Sequence, residues 1–227
     1  MQFFTNQFIE FFTNLEKNNN REWFNINKDL FNKSVKLPFE NFIEVLLNNI
    51  KEDDENITLS PKEAIFRIYK DVRFSKDKMP YKTYVSAIIS EGGRKDFTTP
   101  GIYLELSNNG LNFYGGAHFL EKEQLQNLRE FIADNLDQFH SIINNTNFKK
   151  HFGNLLGEKN KRIPKEFNEI AKIEPLIANK QFYYLKPLDS KILTSKNLLP
   201  KVMELYFASK QINHFLSFGI IRTLKEQ

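Results

Sequence analysis

Arg67, Asp71 and Arg73 stand in the stretch "RIYKDVRFSKDKMPYK" (Arg67 to Lys82) at a spacing suited to anion recognition. In an extended chain, residues two apart share a face at about 7 Å, which puts Arg67, Tyr69, Asp71 and Arg73 on one side. Phe66, Ile68, Val72 and Phe74 take the other side, with Lys70 as the exception. An aspartate between two arginines can orient both guanidinium groups and still leave donors for a ligand. The planar guanidinium fork grips a phosphate or carboxylate through two hydrogen bonds. Beyond Phe74 the turn formers Ser75, Asp77 and Pro80 break the alternation, so Lys76 and Lys78 are expected on a loop. Tyr81, able to stack or donate a hydrogen bond, and Lys82 then lead into the next strand. The expected anion contacts are Arg67, Arg73, Lys76, Lys78, Lys82 and Tyr81, with Asp71 as the orienting group.

Charge supports this reading. The window holds six basic and two acidic residues, a surplus equal to the formal net charge of +4 of the whole chain. The other 26 basic and 26 acidic residues cancel. A focused patch attracts anions better than the same charge spread out. A second reading uses the same residues without a ligand, as a ladder of salt bridges between strands worth about 0.2–1 kcal/mol each.

Other candidates carry less chemistry. Gly115 and Gly116 in "FYGGAHF" fit a strand-to-helix turn, where backbone amides can approach a ligand, and His118 beside them is a candidate acid–base group. Trp23 follows Arg21 at a helix start and is expected in the core, with Arg21 as an accessory contact. His118, His140, His151 and His214 show no metal-ligand spacing, so no metal and no cofactor are expected. "GNLLGEKNKR" lacks the phosphate-loop order, and no Gly-x-Ser-x-Gly elbow occurs.

The elements that must position these residues follow from periodicity. Phe4, Phe8, Phe11, Phe12 and Leu15 recur at helical spacing behind Thr5; a second helix begins after Asn18 to Asn20, and a third at Pro38. Strands are expected in "AIFRIYKDVRF" (from Ala64), "TYVSAIIS", "GIYLELS" and "LNFYGG", the last two joined as a hairpin by Asn108–Asn109–Gly110. "QFYYLKPL" can rejoin the sheet later. Helical patterns resume from Glu121, and the C-terminal helix is expected to bend or break near Gly219. The fold class is α+β: one domain over 1–227, with helices over about 4–52, an antiparallel meander of about four to five strands over about 64–117, and a mostly helical remainder. With 41% hydrophobic residues and 23 phenylalanines the chain can fill a core, so disorder is not expected as the dominant state. Without cysteine there is no disulfide and no thiolate zinc site. The start "MQFFTNQFIEFF" lacks a secretory n-region, and no apolar run is long enough to span a membrane. A soluble cytoplasmic protein is expected.

Several motifs occur together: "NNREWF" (Asn19 to Phe24), "FRIYKDVRFSKDKMPYKT" (Phe66 to Thr83), "PGIYLEL" (Pro100 to Leu106), the Gly115–Gly116 pair and "LREFI" (Leu128 to Ile132). With "RIPKEF" (Arg162 to Phe167) and "FYYLKPL" (Phe182 to Leu188), they make the chain resemble a bacterial and fungal family filed as domain of unknown function 2461. The resemblance covers nearly the whole chain and implies no particular reaction. Its signature maps onto Arg21, Glu22 and Trp23, then Phe66, Arg67, Asp71 and Arg73 through Lys78, then Pro80, Tyr81 and Lys82. Met79 stands where a small polar residue is usual in that family, and Tyr69 and Lys70 where histidine and arginine are common. Tyr69 argues against a mechanism that needs an imidazole at that position.

Three functions are consistent with these residues. The first is a binding site for an anionic small molecule or nucleotide, with nucleic acid less favoured. The second is an enzyme acting on a phosphorylated or acidic small molecule. The third is an interaction protein in which the motif only specifies the fold.

Overall fold

A computed structural model describes residues 1–73, 76–96 and 98–221; Phe74 and Ser75 of the signature lie outside them. Helix α1 (Asn6–Lys17) buries Phe8, Phe11, Phe12 and Leu15, the stripe that its spacing predicts. α2 (Arg21–Ile26) starts at Asn20, whose side chain accepts a hydrogen bond from the Trp23 amide at 2.9 Å. α3 (Lys28–Phe31) runs through a π-helical turn, Asn32–Lys36, into α4 (Leu37–Lys51). Pro38 has no N–H to offer the Ser34 carbonyl four residues back, and the helix widens where that bond is missing. The third helix therefore begins near Pro38 as expected, without a break before it. A single turn, α5 (Pro61–Ala64), is capped by Glu63, whose carboxylate accepts from the Ser60 amide at 2.9 Å and from the Ser60 hydroxyl at 2.6 Å.

Four strands, β1 (Tyr84–Ile89), β2 (Gly101–Ser107), β3 (Gly110–Ala117) and β4 (Phe182–Asp189), form one antiparallel sheet in the order β1-β2-β3-β4. The fold class is α+β. Asn108 and Asn109 form the β2–β3 turn, and Gly110 takes the positive φ of 127° that follows it. "QFYYLKPL" does rejoin the sheet, as β4 beside β3.

One expected strand is absent in its regular form. The stretch from Ala64 makes only isolated bridges, Ile65 with Ala87 and Tyr69 with Tyr81. The Phe66 amide bonds the Ser86 carbonyl, whereas the Lys82 amide bonds the Ile68 carbonyl. Two steps on one side thus face four on the other, a bulge that interrupts the ladder. Pro80 supplies only an acceptor, and the Asp71 and Asp77 carboxylates take the Arg73 and Met79 amides. The alternation nevertheless persists: Ile68 is buried, while Arg67, Tyr69, Asp71 and Arg73 are exposed.

The chain divides into two compact units. One comprises Met1–Lys95, Tyr103–Phe113 and Pro187–Glu204; the other comprises Asp96–Ile102, Tyr114–Lys186 and the chain from Leu205 onward. The core of the first unit is phenylalanine-rich, with Phe4, Phe8, Phe12, Phe39 and Phe42 almost fully buried. Their rings meet edge-on or tilted, as in Phe4–Phe8 at 4.6 Å and Phe8–Phe12 at 5.1 Å.

In the second unit Tyr184 is fully buried against Phe148 and Phe152, and its hydroxyl donates to Asn213 at 3.0 Å. This tyrosine corrects the expectation for Gly115 and Gly116. They lie within β3 and form no strand-to-helix turn. A Cβ on Gly115 would sit 2.0 Å from the Tyr184 hydroxyl, and Gly116 has φ +98° with its missing Cβ 2.2 Å from the Phe182 carbonyl oxygen. Helices α6 (Lys122–Asp134), α7 (Leu136–Ile143), α8 (Thr146–Phe152) and α9 (Ile170–Ile173) also belong to this unit. The last helix, α10 (Leu198–Ile221), does not break at Gly219. There the missing Cβ would lie 2.7 Å from a Leu128 methyl, so glycine admits a neighbour where a bend was expected. No helix of the described residues is long and apolar enough to cross a membrane.

Candidate functional site

The basic stretch divides its charges between internal pairs and outward-facing groups. Arg73 donates to Asp71 through Nε at 3.0 Å and Nη2 at 2.7 Å, and its amide donates to the same carboxylate at 3.2 Å. Asp71 was expected to hold both arginines, but its hydrogen bonds go to Arg73. The Arg73 guanidinium and amide hold the Asp71 carboxyl below the usual carboxylate range, with a smaller contribution from the charge of Arg67. Lys70 pairs with Asp77 at 2.8 Å, and Lys78 donates to the Val72 carbonyl at 3.1 Å. Lys76 is exposed. Arg67 makes no hydrogen bond or ion pair among the described residues.

Tyr81 and Lys82 turn inward, contrary to the expectation that they reach for a ligand. Tyr81 is 3% exposed and stacks on Phe24 with centroids 4.0 Å apart and planes 13° from parallel. Asn19 clamps its backbone, donating to the Tyr81 carbonyl at 3.0 Å and accepting from the Tyr81 amide at 3.2 Å. "NNREWF" thus meets the basic motif through Asn19 and Phe24, two residues that strand alternation around Arg67 gives no reason to single out. Lys82 folds over the rings of Phe66 at 5.3 Å and Tyr84 at 5.5 Å. Burial lowers its pKa below that of a free lysine, opposed by the nearby Glu105 carboxylate. Glu105 also accepts from the Tyr103 hydroxyl at 3.2 Å.

Beside this segment lies an open groove of about 700 Å³. Phe24, Phe31, Phe39, Ile65, Phe66 and Tyr69 contribute its apolar lining, and Lys28, Lys36, Lys62, Arg67 and Arg94 its cations. Two acids, Glu40 and Glu44, also line it, so positive charge dominates five to two. Lys36 lies 3.9 Å from Glu40, and Arg94 is pinned by donating to the Ile65 carbonyl at 2.9 Å. Lys28, Lys62 and Arg67 have no ion-pair partner among the described residues. Asn32 and Lys36, at the two ends of the π-helical turn, line the groove, and Phe31 and Phe39 flank them. Helix widening of this kind recurs at functional sites.

The geometry can be set beside known proteins. A family model described as "Conserved hypothetical protein (DUF2461)" matches residues 7–215. The chain belongs to this family. No curated protein and no solved structure matches it.

In this DUF2461 chain the expected accessory residues have separate settings. Arg21 is exposed at the first position of α2, where its charge acts on Tyr81. Trp23 is half-buried and packs on Phe11 at 5.6 Å. His118 is exposed and meets the rings of Phe119 and Tyr183 edge-on at 4.8 and 5.7 Å. Gly115, Gly116 and His118 are not in the lining of the groove. Among the expected anion contacts, Arg67 is the residue that lines it. Lys28, Lys36, Lys62 and Arg94 escape sequence reasoning because they come from separate segments of ordinary charge balance. Only the positions of α3, α4 and α5 and of the 94 region gather them.

Proposed function

We propose that the protein binds an anionic small molecule in the groove, with Arg67 as its first contact. The observation that carries this reading is an arginine without an ion-pair partner among the described residues, on the lining of a cation-rich groove. A guanidinium is the side chain best matched to a phosphate or carboxylate, and Lys62 and Arg94 stand on the same lining. Arg94 is oriented in advance by the Ile65 carbonyl, which lowers the ordering cost of using it. Lys76 and Lys78 supply attraction at a distance through the local surplus of charge. Arg73 is held by Asp71 and acts mainly in the turn.

Titration calorimetry with inorganic phosphate at low ionic strength tests this. A charge-assisted hydrogen bond is worth about 1.5–3 kcal/mol, so Arg67→Ala should weaken binding by about tenfold or more. Arg67 is exposed, so its Tm should stay within about 2 °C of the wild type. Arg73→Ala should bind phosphate nearly as the wild type does. Equal affinity in the wild type and Arg67→Ala, or a large loss of stability in Arg67→Ala, would overturn the reading. A nucleic-acid ligand would instead show affinity for short DNA or RNA that falls steeply with salt.

A further inference from the structure

We infer that the anion bound in this groove carries a flat aromatic ring, and that Tyr69 is the residue on which the ring stacks. The inference rests on the proposed anion site and adds the chemical class of its ligand. Tyr69 is half exposed, whereas neighbouring Phe24 is buried. It lies two residues from Arg67, across the bend at Ile68; both side chains are exposed and both line the groove. A half-exposed ring and a guanidinium are thus offered to the same groove. Their presence on one lining suits a ligand that joins a ring to an anionic group.

The ring of Tyr69 is also fixed from behind. It sits 5.3 Å from Tyr81 and 6.2 Å from Phe24, and Tyr81 is itself stacked on Phe24 and clamped by Asn19. A ring braced in this way loses little freedom when a ligand settles on its outer face. The remaining lining agrees. Ile65 and Phe66 continue the apolar surface, and Lys28, Lys62 and Arg94 surround it with charge that a purely apolar ligand would not need. Inorganic phosphate would leave the apolar half of the groove wet, and a neutral aromatic would leave Lys28, Lys62 and Arg67 without an ion-pair partner among the described residues. A volume of about 700 Å³ is that of an ordinary small-molecule site. Aromatic phosphates, nucleotides among them, and aromatic carboxylates share this chemistry.

The test compares inorganic phosphate, phenyl phosphate, adenosine monophosphate and benzoate by titration calorimetry on the full chain. Stacking on an exposed aromatic side chain is expected to make phenyl phosphate bind about tenfold or more tightly than inorganic phosphate. Tyr69→Leu, which keeps an apolar side chain but no flat face, should erase that preference and leave inorganic phosphate within about twofold of wild type. Tyr69→Phe should keep the preference. A tighter adenosine monophosphate than benzoate assigns the anion to a phosphate, and the reverse assigns it to a carboxylate. If inorganic and phenyl phosphate bind wild type equally, the ring inference is overturned and the anion site stands. If no anion of the set binds wild type, the anion site falls and the ring inference with it. A preference that survives in Tyr69→Leu also overturns the role of Tyr69.

Discussion

At the scale of single residues, the surroundings of each cation decide what it can do. Lys70 and Arg73 spend their charge on Asp77 and Asp71, in exposed pairs of the kind that add little to stability. Lys82 has its ionisation changed by the fold, because burial over Phe66 and Tyr84 disfavours the ammonium form. Its folded-state pKa lies below its unfolded value, so between the two the unfolded chain holds more protons. Stability therefore rises with pH across that window, below the ordinary lysine value of 10.5, as the penalty for a half-buried charge disappears. NMR titration of the lysine side chains should show Lys82 losing its proton below the ordinary lysine value of 10.5. Titration of Lys82 at or above that value would contradict this account.

At the scale of elements, strand β3 makes the sharpest demand on sequence. Gly115→Ala drives a methyl into the buried Tyr184 ring, an overpacking that should cost about 1–3 kcal/mol. For a chain of this size each kcal/mol lowers Tm by about 2–4 °C, so a melting curve reads the effect directly. An unchanged Tm would mean that Tyr184 has room to move. The elements themselves were legible to unequal degrees. The Phe8–Leu15 stripe, the Asn108–Asn109–Gly110 turn and β4 follow from local periodicity and turn chemistry, which act within a few residues. The bulged arm from Ile65 to Arg73 was legible only as an alternation, because its loss of ladder bonds depends on where Ser86 and Pro80 fall opposite it. Gly115 and Gly219 were misread for the same reason. What fills the space of a missing Cβ is Tyr184 or Leu128, each tens of residues away.

At the scale of the molecule, the charge surplus and the groove belong to the same compact unit. The spacing singled out Arg67 in the sequence, and the structure places Lys28, Lys36, Lys62 and Arg94 on the same groove lining. Those could not be read in sequence, since their common feature is a place in the fold. The π-helical turn before Pro38 is part of that arrangement, as it brings Asn32 and Lys36 to the lining. The most direct measurement of the central claim is a phosphate titration followed by amide and guanidinium shifts in NMR spectra. The account predicts that shifts concentrate at Arg67, Lys62 and Arg94 and vanish in Arg67→Ala. Shifts confined to Lys76 and Lys78, or persisting unchanged in Arg67→Ala, would contradict it.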